Sequence, residues 1–281
     1  MCGICAVVSS RESPSISHNL KRRLCNRGPD HLGNHEARVD GADGAVAYLS
    51  FTSTVLSLRG DHVAKQPFVS PDSADCVFCW NGEAWKIHHH DVAGNDGEAI
   101  FGLLMKAASC ASGDGCEDAI LKVLRSIEGP FAFVFCHISA KRLYFGRDRL
   151  GRRSLLIKKD SEQLLLSSIA DSTDSAWKEV EADGIYAISL DSLGDNEASH
   201  VATLSRYDWI ESAEGNLVSV RSHFMGLLAS LEEVIRAYSS SSLVLAVSIR
   251  TYLQEVFPSP LRHLRLDHCV NAFVSPSGYV F

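Results

Sequence analysis

Short apolar runs joined by turn residues recur along the first 190 residues, and they constrain the fold of this chain more than any other feature. "FAFVFCHISAKRLYFGRD" (131–148) reads as two strands turning near 139–141, and "SLLIKKDSEQLLLSSI" (154–169) as two more turning near 160–162. "GAVAYLSFTSTVLSLRG" (44–60) reads as two β segments. "CVFCWNGEAWKI" (76–87) reads as a hairpin about Asn81 and Gly82, because Asn-Gly is the favoured pair of a two-residue type I′ turn. Single strands are expected at Gly3–Ser9 and in "GIYAISL" (184–190). Helical spacing appears in three places between them: at 16–25, ended by Gly28 and Pro29; after Asn95, where Glu98 makes a capping box for a helix carrying Ile100, Leu103 and Leu104; and in "CEDAILKVLRSIEG" (116–129). The last holds Ile120, Val123, Leu124 and Ile127, with Gly129 expected at C′. Hairpin-linked strands with helices between some of them define an α+β domain of antiparallel sheets covered by helices.

The composition bears on what such a domain can partner. With 46% hydrophobic residues the chain can bury a real core. A formal charge of -7 offers no long-range attraction to phosphate backbones, so nucleic acid is not an expected partner. No run approaches the roughly 20 apolar residues that span a bilayer, so no membrane partner is expected either. The nine cysteines are an odd number in a chain too large to need disulfide staples, and no signal segment precedes them; they read as reduced thiols and the chain as cytoplasmic.

Chemistry enters with "MCGIC" at 1–5. A thiol is a weak nucleophile until a base takes its proton. If Met1 is removed, Cys2 carries both the thiol and an α-amine, whose ordinary pKa near ~8 suits that task. Asn81, Gly82 and Glu83 give the second cue. Beyond the hairpin reading, the Asn81 amide and the Gly82 backbone N–H are suited to donate to the oxygen of a tetrahedral intermediate. Metal readings are weaker. The pairs Cys2/Cys5 and Cys76/Cys79 have Cys-x-x-Cys spacing, but positions i and i+3 of a strand face opposite sides, and His88, His89 and His90 fall in a polar loop where solvated side chains are the rule. No metal is expected.

"MCGI", "NRGPDHLG" (26–33), "QPF" (66–68), "NGE" (81–83), "NDGEAI" (95–100), "IEGPFAFVF" (127–135) and "GRDRLGRRSLL" (146–156) follow one another in an order and spacing that resemble the class II glutamine amidotransferases. These are the N-terminal-nucleophile glutaminase domains found at the front of asparagine synthetases. "FTSTVLSLRG" followed by "QP" is most similar to the version in asparagine synthetase domain-containing proteins. The resemblance implies a four-layer αββα sandwich over 2–190 and hydrolysis of glutamine to glutamate and ammonia through a thioester on Cys2. Asn81 and Gly82 would form the oxyanion hole, and Glu83 and Asp96 would hold the α-amino group of glutamine, the small-molecule partner. Arg27 and Asp30, and Arg147 and Asp148, correspond to structural signatures built from turns and ion pairs.

Two departures accompany it. The family's carboxylate-clamping arginine falls on Val55, counting back from Gln66 without a gap. Arg59 is the nearest arginine, but four residues along a strand is a shift of roughly 13 Å, so it is not expected to substitute. Loss of such a clamp would weaken substrate binding by about 2–3 kcal/mol. The second departure is the absence, after "LVLAVSIR" (243–250), of the paired glycines of an ATP-pyrophosphatase loop. Hence no cofactor is expected, ATP and magnesium belonging to a synthetase domain that this chain does not complete. Residues 191–238 read as a connector and the first helix of that domain. Its apolar stripe at 220–238 would suit a protein partner, and 239–281 read as a tail outside the family pattern. An alternative function follows: a catalytically weak, glutaminase-like binding or regulatory module.

Overall fold

The computed structural model describes residues 1–41, 44–71, 74–109, 114–160, 163–171, 176–191 and 204–210. They belong to the first of two compact units, Met1–Glu211; the second, Ser212–Phe281, with the 220–238 stripe and the 239–281 tail, lies outside the described residues. In chain order the elements are β1 (Gly3–Ser9), α1 (His18–Arg27), β2 (His31–Asp40), β3 (Val46–Val55), β4 (Phe68–Val69), β5 (Cys76–Gly82), β6 (Lys86–Ile87), β7 (His90–Asp91), α2 (Asp96–Ala108), α3 (Asp114–Arg125), β8 (Ile127–Glu128), β9 (Phe131–His137), β10 (Arg142–Arg147), β11 (Leu156–Lys159), β12 (Gln163–Ser167), β13 (Lys178–Glu179), β14 (Gly184–Ser189) and β15 (Leu204–Asp208). Two six-stranded antiparallel sheets result, ordered β13-β11-β12-β1-β3-β2 and β15-β14-β10-β9-β5-β4, with a small sheet β7-β6-β8 beside them.

The period-2 alternation of the central strands sorts side chains into layers. From the first sheet Ile4, Ala6, Val8, Leu49 and Phe51, and from the second Val77, Cys79, Ala132, Val134 and Cys136, form the core between the sheets. The opposite faces of β5 and β9 carry larger groups, Phe78, Trp80, Phe131, Phe133 and Phe135, which pack under Ile100, Phe101 and Leu104 of α2 and Ile120, Leu121 and Leu124 of α3. On the far side of the first sheet, Cys5 and Val7 meet Leu20 and Leu24 of α1. The order is therefore helix, sheet, sheet, helices: the αββα sandwich. It explains why β1 reads as a continuous apolar run, since it is buried on both faces.

Helix ends follow local chemistry. Ser17 caps α1 by accepting from Leu20 N–H, and Gly28 ends the helix as expected. Asn95 caps α2 by accepting from Glu98 N–H; the Glu98 carboxylate turns to His62 at 2.9 Å, so the reciprocal half of the capping box is not made. The hairpins β9–β10 and β11–β12 pair as expected.

Three expectations are corrected. Residues 44–60 hold one strand, β3; beyond Val55 the chain leaves the sheet. Asn81 and Gly82 do not turn a hairpin. They extend the ladder of β5 opposite Ala132 and Phe131 of β9, and the chain that follows forms β6, which pairs with β7 and β8 instead. Finally, α3 stops at Arg125, where the Ser126 hydroxyl donates to Val123 O. Ile127 enters β8, and Gly129, at φ 147°, bends the chain into β9 against Glu83, whose carbonyl oxygen lies 2.1 Å from where a Cβ at 129 would stand.

Gly82 is needed for close approach rather than for a turn. A Cβ there would meet Phe131 Cβ at 2.6 Å, and Phe131 Cα and Pro130 O at 2.8 Å, the latter two being backbone that cannot yield cheaply. Gly82→Ala is expected to destabilise the domain by about 1–3 kcal/mol. The check is urea unfolding, where the midpoint should fall with an unchanged m-value.

Candidate active site

One cavity of about 310 Å³ collects the residues that the sequence singled out. Cys2, Val55, Arg59, Asn81, Gly82, Glu83 and Asp96 all line it. It lies where the start of β1, the end of β3 and the end of β5 converge, capped by the N-terminus of α2. Its size admits an amino acid, at the lower edge of small-molecule sites.

Cys2 is half-buried with its thiol 3.9 Å from Leu56 O. Burial is the largest cause pushing that thiol above its ordinary pKa, so it does not ionise unaided near neutral pH. Met1 precedes it, half exposed, its sulfur 3.2 Å from Arg153 Nη1. The Met1 amine is held below its ordinary value, first by burial; Arg27 and Arg153 act in the same direction, and Cys2 opposes them. Arg27 Nε also donates to Cys2 O at 3.2 Å, and Asp30 accepts from Ser57 N–H at 2.7 Å. The "RGPD" segment thus fixes the nucleophile's backbone and the 56–59 wall through backbone contacts rather than the ion pairs expected of it.

Asn81 is completely buried, and both its Nδ2 and its Oδ1 lack a hydrogen-bond partner. An unsatisfied buried amide costs about 1–3 kcal/mol. Asp96 is buried at the first position of α2, where the helix N-terminus favours a carboxylate. Its Oδ2 accepts from Trp80 Nε1 at 3.0 Å and from Ala84 N–H at 2.8 Å. Glu83 is exposed at the cavity rim.

Val55 is buried in the cavity wall, an apolar side chain where the resemblance calls for a cation. Arg59, expected to lie too far along a strand, lines the same cavity. The strand ends at Val55, so 56–59 run along the cavity wall and the 3.3 Å per residue of an extended strand does not apply.

Other candidates fall elsewhere. Cys76 packs on the helix side of β5 and Cys79 between the sheets, so the pair cannot grip one ion. His88 and His89 take positive φ values of 50° and 63° in an exposed turn, with His89 on Glu128 at 2.8 Å. Asp75, Cys76 and His137, unremarked in the sequence, bring ligand-type atoms within 4.8 Å of one another at the other end of β5. Both Asp75 oxygens are engaged by Ser139, and the group clamps the β9–β10 turn. Arg147 and Asp148 are buried and structural as expected: Arg147 donates to Arg153 O, Val180 O and Gly151 O and pairs with Glu179, and Asp148 pairs with Arg152. Among the described residues no helix is long and apolar enough to cross a membrane.

An αββα sandwich with a near-terminal thiol and a buried Asn followed by Gly on one cavity defines a class II glutamine amidotransferase domain of the N-terminal-nucleophile kind, and this chain carries one. A glutamine amidotransferase domain family matches residues 54–173. The chain is 31% identical over 264 residues to asparagine synthetase domain-containing protein 1 of Bos taurus, covering 91% of this chain and 38% of the relative. With the Homo sapiens protein of the same name it shares 32% over 226 residues, 78% of this chain and 32% of the relative. The chain is thus similar to the asparagine synthetase domain-containing proteins and spans about a third of the length of these two relatives. The fold also matches the glutamine phosphoribosylpyrophosphate amidotransferase of B. subtilis, with a TM-score of 0.51 at 16% identity over 74% of this chain and 49% of that one.

Proposed function

We propose that this domain hydrolyses glutamine, as the ammonia-supplying half of an asparagine-synthetase-like protein, once Met1 has been removed. The observation that carries the reading is the unpartnered, fully buried Asn81 amide on the same cavity as Cys2. A protein retains such a cost where the group meets a partner only during the reaction.

The freed Cys2 amine takes the thiol proton; the thiolate attacks the side-chain amide carbon of glutamine. Negative charge develops on the carbonyl oxygen, to which Asn81 Nδ2 and the Gly82 backbone N–H donate. Collapse of the intermediate breaks the C–N bond, and the amine's proton leaves with ammonia. Water, deprotonated by the same amine, opens the thioester and releases glutamate. The balance is glutamine plus water to glutamate plus ammonia. Asp96 and Glu83 hold the α-ammonium. The ammonia acceptor lies outside the described residues, and aspartate is suggested for it by the relatives' name alone.

The apolar Val55 favours the second reading, a binding or regulatory module with little turnover. Intact-mass measurement of purified full-length chain, joined to a glutamate-release assay on wild type and Cys2→Ala, separates them. Loss of Met1, with turnover that falls to background in Cys2→Ala, supports the hydrolase. A chain that keeps Met1, or equal background rates in both proteins, rejects it.

A further inference from the structure

We infer that Arg59 binds the α-carboxylate of the substrate amino acid, from the loop beyond β3 rather than from the strand itself. This deepens the glutaminase reading and rests on it for the identity of the ligand, while its argument is geometric. Free glutamine is a zwitterion at its α-carbon, so a site for it must present opposite charges close together at one end and the nucleophile at the other.

Two arginines line the cavity. Arg153 lies at the nucleophile's end, its Nη1 on Met1 Sδ, where the reacting amide must sit. Arg59 is held elsewhere, and a single residue relates it to Asp96: Arg59 Nη1 donates to Ala84 O at 2.7 Å, while Ala84 N–H donates to Asp96 Oδ2 at 2.8 Å. Asn95, the cap of α2, reaches back to Arg59 O at 3.5 Å. A guanidinium and a carboxylate are thereby held on either side of Ala84 without forming an ion pair with each other. Among the described residues no ion pair joins Arg59 to a carboxylate, and Asp61 and Glu98 are both engaged by His62.

The guanidinium is also held still. Its Nη2 donates to Val92 O at 2.7 Å. Two of its five N–H groups are thus spent on backbone carbonyls that lock its position, and three remain for a ligand. An immobilised cation loses little entropy on meeting a carboxylate, and a planar fork can take both oxygens. The unpaired cation and the neighbouring Asp96 match the two charges of the amino acid's head. Val55, buried in the wall, brings no cation of its own to the cavity.

Equilibrium calorimetry on the full chain carrying Cys2→Ala, with Met1 absent, tests this without turnover. The probes are L-glutamine and its α-carboxamide, which keeps the ammonium and the side chain but has no carboxylate. Arg59→Ala in that background is expected to weaken glutamine by about 30- to 150-fold and to leave the α-carboxamide within about 3-fold; Arg59→Lys should recover part of the loss. Equal loss for both probes would show that Arg59 only props the 84–92 loop, and unchanged glutamine binding would show that it does not meet the ligand; either overturns the inference, as does a parent protein that binds no glutamine. Arg59-dependent binding in a protein that releases no glutamate would uphold Arg59's role and remove the hydrolase. Turnover with an Arg59-independent KM would do the reverse.

Discussion

Asn81→Leu is expected to lower kcat for glutamate release by about 10²- to 10³-fold while leaving KM nearly unchanged, and at the same time to raise the melting temperature. The two signs have one cause. The Asn81 amide is fully buried with neither polar atom satisfied, so the resting protein bears about 1–3 kcal/mol that a leucine of the same branched skeleton removes. During the reaction that same amide would meet the oxyanion, an interaction made in the transition state and scarcely in the ground state, hence the loss in kcat rather than in KM. For a domain of this size each kcal/mol is about 2–4 °C, so differential scanning calorimetry should show a rise of several degrees. A variant that melts lower and turns over normally would make Asn81 an ordinary core residue.

The largest effect on stability is expected at Asp148. Its carboxylate is buried and accepts four hydrogen bonds: Oδ2 from Phe131 N–H at 3.1 Å and Arg152 N–H at 3.0 Å, Oδ1 from Leu150 N–H at 3.2 Å and Arg152 Nε at 2.8 Å. One group therefore ties the first residue of β9 to the turn that follows β10. Asp148→Ala leaves the buried Phe131 N–H and the Arg152 guanidinium unmatched, at a cost of about 3–5 kcal/mol, the range for breaking a buried charged network by removing one partner. The melting temperature should fall by roughly 6–20 °C at about 2–4 °C per kcal/mol. Because Arg152 is partly exposed and its charge can turn to water, the lower half of that range is expected. Asp148→Asn, which keeps one acceptor oxygen, should fall between the variant and wild type. A loss under about 1 kcal/mol in Asp148→Ala would show that water replaces the carboxylate.

Several features that place the site were legible in the linear chain because they depend on neighbours. The unbroken apolar run of β1 announced a strand buried on both faces, Ser17 and Asn95 sit where helix caps must sit, and the β9–β10 and β11–β12 hairpins turn where their polar residues cluster. Cys2 stood out by position. Where reading failed, a local preference met a non-local contact. Asn-Gly at 81–82 has strong turn propensity, yet the β9 ladder, opposite Ala132 and Phe131, holds the pair extended. Gly129 resembles a helix stop, yet its lack of a side chain serves an approach to Glu83 O. The 44–60 segment kept its apolar alternation after the sheet had ended, because 56–59 face a cavity rather than a neighbouring strand.

Strand and helix periods, caps and a thiol next to the initiator methionine are properties of adjacent residues, so the class of fold and the residues able to do chemistry can be read along the linear chain. How those residues meet is a matter of packing: Asn81 is buried without a partner, and Arg59 shares a cavity with Cys2 and Asp96 where counting along a strand put it roughly 13 Å beyond Val55. The reason is physical. Secondary structure is set by interactions a few residues apart, whereas a cavity is the space left when distant segments pack, and its charges and orphaned donors exist only once they have done so.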